Sequence, residues 1–207
     1  MTDLGVEGRR ANRRGQATRE NMLSAAVQSL ASGKPGSVSA NRIAKDIGAT
    51  WGAVKYQLGD VDGLWAAVLH HTAEQRGEMG LRAHGDLSLR DRITTIIDTL
   101  FTGLDAPASR AIENLRAALP RDHVELERQF PRTAAELASW KETWAQLCLS
   151  AFDGLDVDPV RVREVAAFIP GAMRGIVSEK QLGTYADLDE ARRGLTNAIV
   201  AYLTAHE

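Results

Sequence analysis

Residues 39–64, SANRIAKDIGATWGAVKYQLGDVDGL, decide the fold. Ser39 is placed to cap a short helix whose inner face is Ile43, Ala44 and Ile47. Gly48 allows a tight turn, because glycine takes a positive φ at little steric cost. Thr50 is placed to cap a second short helix, with Val54 and Leu58 turned inward. A further turn leads into a longer helix. Two short helices joined by a glycine turn form the helix-turn-helix unit, which lays its second helix in the major groove of DNA.

Outward from this stretch the chain reads as all-α. Residues 1–15 are rich in Gly and Arg, lack apolar periodicity and read as a flexible basic arm. Gln16 to Ser32 is the first helix, with Leu23, Val27 and Leu30 on one stripe, ended by Gly33, Pro35 and Gly36. The fourth helix runs from Val61 to Gly77 with Leu64, Trp65, Val68 and Leu69 inward. Gly80 to Gly85 loosens the chain. Ile93 to Leu104, Ile112 to Leu119, Leu137 to Ala151, Val162 to Val177 and Leu188 to Tyr202 then repeat apolar residues at spacings of three and four. No period-two run marks a strand. The expected organisation is an arm at 1–15, a three-helix DNA-binding domain at 16–60, and a helical regulatory and dimerisation domain at 61–207.

Charge supports one polyanion-binding end. Residues 1–56 carry nine Lys or Arg against four acids, a balance of +5, so a chain of net −2 leaves −7 for the rest. A solvated basic tail without a partner gives the same count. The single cysteine, Cys148, excludes an intrachain disulfide and a multi-cysteine zinc site. No stretch approaches the roughly 20 apolar residues that span a bilayer, and the N-terminus has no apolar signal-peptide core. A cytoplasmic protein with no membrane partner is expected.

The run IAKDIGATWGAVKYQLGDVDGLW resembles the DNA-binding segment of the TetR (tetracycline-repressor) family of bacterial transcription regulators. Ile43-Ala44, Gly48, Gly52, Val54, Tyr56 and Leu64 fall on that family's pattern, and the close match covers roughly residues 16–70. Three positions depart from it. Lys55 precedes Tyr56 where the family usually has tyrosine, Leu58 replaces a phenylalanine, and Val61 stands where a phosphate-touching lysine is usual. The resemblance implies an all-α, dimeric repressor released from a palindromic operator by a small molecule.

Candidate contacts to double-stranded DNA follow residue by residue. Thr50, Trp51, Gly52 and Ala53 give the recognition helix a small N-terminal half through which the backbone approaches base edges. Gly52 weakens its own helix by up to about 1 kcal/mol relative to alanine; close approach to DNA is one reason for it, and a helix–helix contact or simple tolerance is the alternative. Lys55 suits guanine or phosphate, and the resemblance places a backbone contact at Tyr56. Trp51 either touches DNA or packs on the first helix. Ser39 and Arg42 stand on the preceding helix, Arg42 toward phosphate. Arg13 and Arg14 belong to an arm that enters the minor groove or stays a solubilising tail.

In the body, Trp140, Trp144 and Cys148 share a helix face, and with Phe101 and Met173 they either wall a pocket for a small hydrophobic or amphipathic effector or form plain core. A homodimer seam is expected on the last two helices, at Phe168, Ile169, Ala172, Ile176, Leu195, Ile199 and Tyr202. The resemblance implies that these helices form a four-helix bundle between subunits. His70 and His71 are adjacent and point to different helix faces, and His123 and Glu127 share a face without an evident third ligand, so no metal is expected, nor any cofactor. No nucleophile-elbow, Walker or dinucleotide motif appears, so the chain is not read as an enzyme. The competing reading is a helical carrier or enzyme with an incidental basic head.

Overall fold

The computed structural model describes the backbone of residues 4–34, 36–77, 87–184 and 187–205, and the side chains of these residues except 4–14 and 76–77. Its helices are α1 (Leu4–Ala31), α2 (Ala40–Asp46), α3 (Trp51–Leu58), α4 (Val61–Gly77), α5 (Leu89–Thr102), α6 (Pro107–Ala118), α7 (His123–Gln129), α8 (Pro131–Ala151), α9 (Pro159–Leu182) and α10 (Leu188–Thr204), with a 3₁₀ turn at Gly103–Asp105. No strand occurs among the described residues. The all-α expectation holds.

Two details differ from the sequence reading. Helix α1 begins at Leu4, so the backbone of residues 4–15 is helical where a flexible arm was expected. Helix α7 has no buried residue, so no apolar stripe announces it. The loosening expected at Gly80–Gly85 lies outside the described residues.

The chain divides into two compact units. One holds Met1–Gln75 and Pro107–Leu137, the other Arg76–Ala106 and Ala138–Glu207. This corrects the boundary expected at residue 61. Helix α4 stays with the head, where His71 Nε2 lies 3.3 Å from Ser24 Oγ of α1 and Trp65 shares a hollow with residues of α2 and α6. Helix α6 joins the head because it packs along α1, burying Ala111, Ile112 and Leu115. Asn114 Nδ2 donates to the Leu30 carbonyl at 2.8 Å, closing the end of α1.

The first unit also contains the start of α8, held by a carboxylate from α4. Asp62 Oδ2 accepts from the Arg132 amide at 2.9 Å. Asp62 Oδ1 accepts from the Thr133 amide at 2.9 Å and from Thr133 Oγ1 at 2.7 Å. The carboxylate thus caps the first turn of α8 from 70 residues away, where the helix dipole favours negative charge. Burial raises the Asp62 pKa, but the hydrogen bonds from Arg132 and Thr133 outweigh it, and the group lies below the ordinary aspartate value. Gly63 belongs to the same corner. A Cβ there collides with the Leu58 carbonyl oxygen and lies 2.7 Å from Arg132 Nη1.

The second unit is built on α5, the later part of α8, α9 and α10. Its core includes Ile93, Ile97, Val162, Val165, Ile169 and Ile199, each nearly or wholly enclosed. Full burial of such side chains contributes roughly 1.5–3 kcal/mol each. Arg92 is buried beside the end of α8, where Nη1 donates to the carbonyls of Ala151 at 3.0 Å and Asp153 at 2.8 Å. A cation there meets the negative end of the helix dipole. Asp158 caps α9 by accepting from the Val160 amide at 2.8 Å.

Candidate nucleic-acid interface

The helix-turn-helix forms by local chemistry. Ser39 Oγ accepts from the Arg42 amide, and Thr50 Oγ1 accepts from the Ala53 amide at 3.2 Å. Each cap contributes on the order of 1 kcal/mol. Gly48 takes φ +68° between the helices. Ile43 and Ala44 anchor α2, and Val54 and Leu58 anchor α3.

Anchoring Val54 and Leu58 leaves the other side of α3 in solvent. Gly52, Ala53, Lys55 and Tyr56 are exposed there, Tyr56 at 88%. An added Cβ at Gly52 meets only Thr50 Oγ1, at 3.7 Å, an ordinary contact. Packing within the chain therefore does not require glycine at this position.

The remaining head residues are less free. Arg42 Nε is 2.9 Å from Asp46 Oδ1, and Ser29 Oγ donates to Asp46 Oδ2 at 2.7 Å. The Ser29 hydrogen bond, with the Arg42 contact behind it, holds the Asp46 carboxyl below the usual range despite opposing desolvation. Arg42 is thus tethered within α2, by an exposed pair weak enough to exchange. Trp51 is half-buried and faces a hollow shared with Trp65 and Phe130. Ser39 is half-buried at its cap. Arg13 and Arg14 lie on the helical backbone of α1, but their side chains are outside the described residues.

In the body, Cys148 and Met173 are buried in one cluster with Phe101 and Trp144 packed against it, while Trp140 stands half-buried outside that cluster. Burial pushes the Cys148 thiol up to about 12, which makes it an inert core group. Trp144 Nε1 donates to the Ala166 carbonyl at 2.8 Å.

The expected dimer residues separate into two sets. Ile169, Ile176 and Ile199 are buried in their own subunit's core and present little surface, because the apolar stripe of each helix serves the intrachain core first. Ala172 and Leu195 are half-buried. Phe168 at 44% and Tyr202 at 42% are exposed. The exposed face of α9 around Phe168 carries Gly171 and Gly175, and that of α10 carries Gly194, Ala198 and Ala201. An added Cβ at Gly175 or Gly194 meets nothing within 4 Å. These glycines, Asp62, Gly63 and Arg132 were absent from the sequence-derived sites. Gly in a helix interior is the signal that marks the first group.

The chain has the fold of the TetR-family transcriptional regulators. A Rhodococcus sp. protein assigned to that family superposes with a TM-score of 0.62 at 22% identity, over 90% of this chain and 98% of that one. The multidrug binding protein EbrR, in complex with imidazole, superposes with a TM-score of 0.59 at 18% identity, over 91% of this chain and 96% of its own. No protein-family model matches the chain, and no curated protein matches it. Among the described residues no helix is long and apolar enough to cross a membrane, and no group of three or more His, Cys, Asp or Glu is placed to hold a metal.

Proposed function

We propose that this chain is a sequence-specific DNA-binding transcriptional regulator that acts as a homodimer and is released from a palindromic operator by a small organic effector. The observation that carries the reading is α3. Val54 and Leu58 are locked inward while Gly52, Ala53, Lys55 and Tyr56 face solvent, and Gly52 has no internal packing role. A helix that is fixed at the back and small at its N-terminal front suits a major groove. The fold shared with TetR-family regulators supports the same reading.

One head makes few contacts, so two heads on a twofold axis are needed to read a palindrome whose half-sites lie whole helical turns apart. The exposed faces of α9 and α10 supply the seam, with Phe168 and Tyr202 flanking Gly171, Gly175, Gly194 and Ala198. EbrR is described as a multidrug binding protein, which favours a small organic effector for this chain as well. Its place in the body is then near Phe101, Trp140, Trp144, Cys148 and Met173. Effector and DNA must weaken each other's binding by the same factor.

An electrophoretic mobility shift with the DNA upstream of the chain's own gene tests this reading. A shift is expected, and a shift reversed by a small molecule establishes release. No shift on any genomic fragment at low salt favours a helical carrier or enzyme instead.

A further inference from the structure

The first unit contains a hollow of about 330 Å³. Five elements converge on it. Ser39 and Asn41 come from the start of α2, Trp51 opens α3, Trp65 comes from α4, Ala118 ends α6, and Phe130 follows α7. No Asp, Glu, Lys, Arg or His lines it among the described residues. We propose that this hollow is a binding site for a small neutral aromatic molecule of one or two rings. The inference stands independently of DNA binding.

Volume and chemistry select the ligand. The hollow lies at the lower end of the roughly 300–1,000 Å³ range of small-molecule sites, which admits a compact ring system. Trp65 is nearly enclosed and forms a wall, while Trp51 and Phe130 are half-exposed at its sides. Aromatic rings pack on such walls in offset or edge-to-face geometry. No ionisable side chain among the described residues lines the hollow to neutralise a charged ligand, which favours neutral molecules. The Asn41 side-chain amide is placed to exchange a hydrogen bond there, and the Ser39 hydroxyl, which accepts from the Arg42 amide, keeps its own proton to donate. Trp51 is the first residue of α3, so on the DNA-binding reading an occupant touches the recognition helix itself.

The test uses the full chain, ¹⁵N-labelled, titrated with indole. The chain has four tryptophans, whose indole N–H signals report separately on the two units. Saturable shifts are expected for Trp51 and Trp65, the two tryptophans of this unit. Ala118→Trp fills the hollow from an exposed position at the end of α6 and should weaken indole binding at least tenfold. Indole-3-acetate, which adds a carboxylate, should bind at least tenfold more weakly than indole. The site is overturned by unmoved Trp51 and Trp65 signals, a result that needs no variant. It is equally overturned by unchanged indole affinity in a folded Ala118→Trp protein. Equal binding of indole-3-acetate overturns the neutral class.

Discussion

Trp144 and Pro170 meet through one carbonyl. Pro170 lies inside α9 and has no amide hydrogen, so the carbonyl of Ala166, four residues earlier, loses its usual helical donor. Trp144 Nε1, reaching from α8, donates to that oxygen at 2.8 Å. The proline is tolerated because a side chain from a neighbouring helix replaces the bond it removes. Trp144→Phe should therefore destabilise the fold by about 1–3 kcal/mol, the cost of leaving such a group without its donor. Pro170→Ala restores the backbone donor, so the same Trp144→Phe change should cost less in that background. Urea denaturation of the four proteins checks this, and strict additivity contradicts the account.

Gly52 separates folding from binding. With room for a Cβ at this position, Gly52→Ala should stabilise the protein by up to about 1 kcal/mol. On the proposed reading the same methyl group holds the backbone away from base edges, so operator affinity should fall about tenfold, equivalent to about 1.4 kcal/mol. Thermal melts and DNA titrations of one variant give both signs. A loss of stability assigns Gly52 to internal packing instead.

Asp62 makes the head acid-sensitive. Its pKa lies below the ordinary aspartate value in the fold, so the unfolded chain takes up the proton first as pH falls. The stabilisation is present above the unfolded-state pKa and is lost as pH drops through the lower folded-state value. Asp62→Asn should cost about 1–3 kcal/mol at neutral pH through weakened hydrogen bonds to α8. It should also flatten the acid limb of the stability curve. Denaturation midpoints between neutral pH and the aspartate range measure this, and an unchanged acid limb rejects the role given to Asp62.

The two sets of residues on the last two helices predict opposite phenotypes. Ile169→Ala opens a cavity in the core and should cost about 2–5 kcal/mol of fold stability. Gly194→Leu places a side chain on an open face and should leave the subunit folded but monomeric. Sedimentation velocity distinguishes them, and a dimeric Gly194→Leu protein moves the seam elsewhere.

Local chemistry was legible in the sequence, and long-range pairing was not. Ser39, Gly48 and Thr50 act within four residues of their partners, so spacing alone identifies them, and the i,i+4 pair Val54 and Leu58 shows the inner face of α3. Asp62 with Arg132 and Thr133, and Trp144 with Ala166, join residues far apart in the chain, where periodicity carries no pairing information. The same limit applies to the faces of the last two helices. Ile169, Ile176 and Ile199 were read correctly as apolar stripes, but a stripe does not say which chain it packs against. The unit boundary was missed for a related reason, since nothing in the spacing of Ile112 and Leu115 says that α6 lies along α1.

On the proposed reading the exposed side of α3 holds DNA. Fluorescence anisotropy of a labelled operator duplex, titrated with wild type and with Lys55→Ala/Tyr56→Phe across a salt series, tests it most directly. Wild-type affinity should fall with salt by about −0.9 in log–log slope for each phosphate neutralised. The double variant should bind at least about 100-fold more weakly, the equivalent of about 2.7 kcal/mol, while melting at the wild-type temperature. A folded double variant that binds the duplex as tightly as wild type, with the same salt slope, contradicts the account.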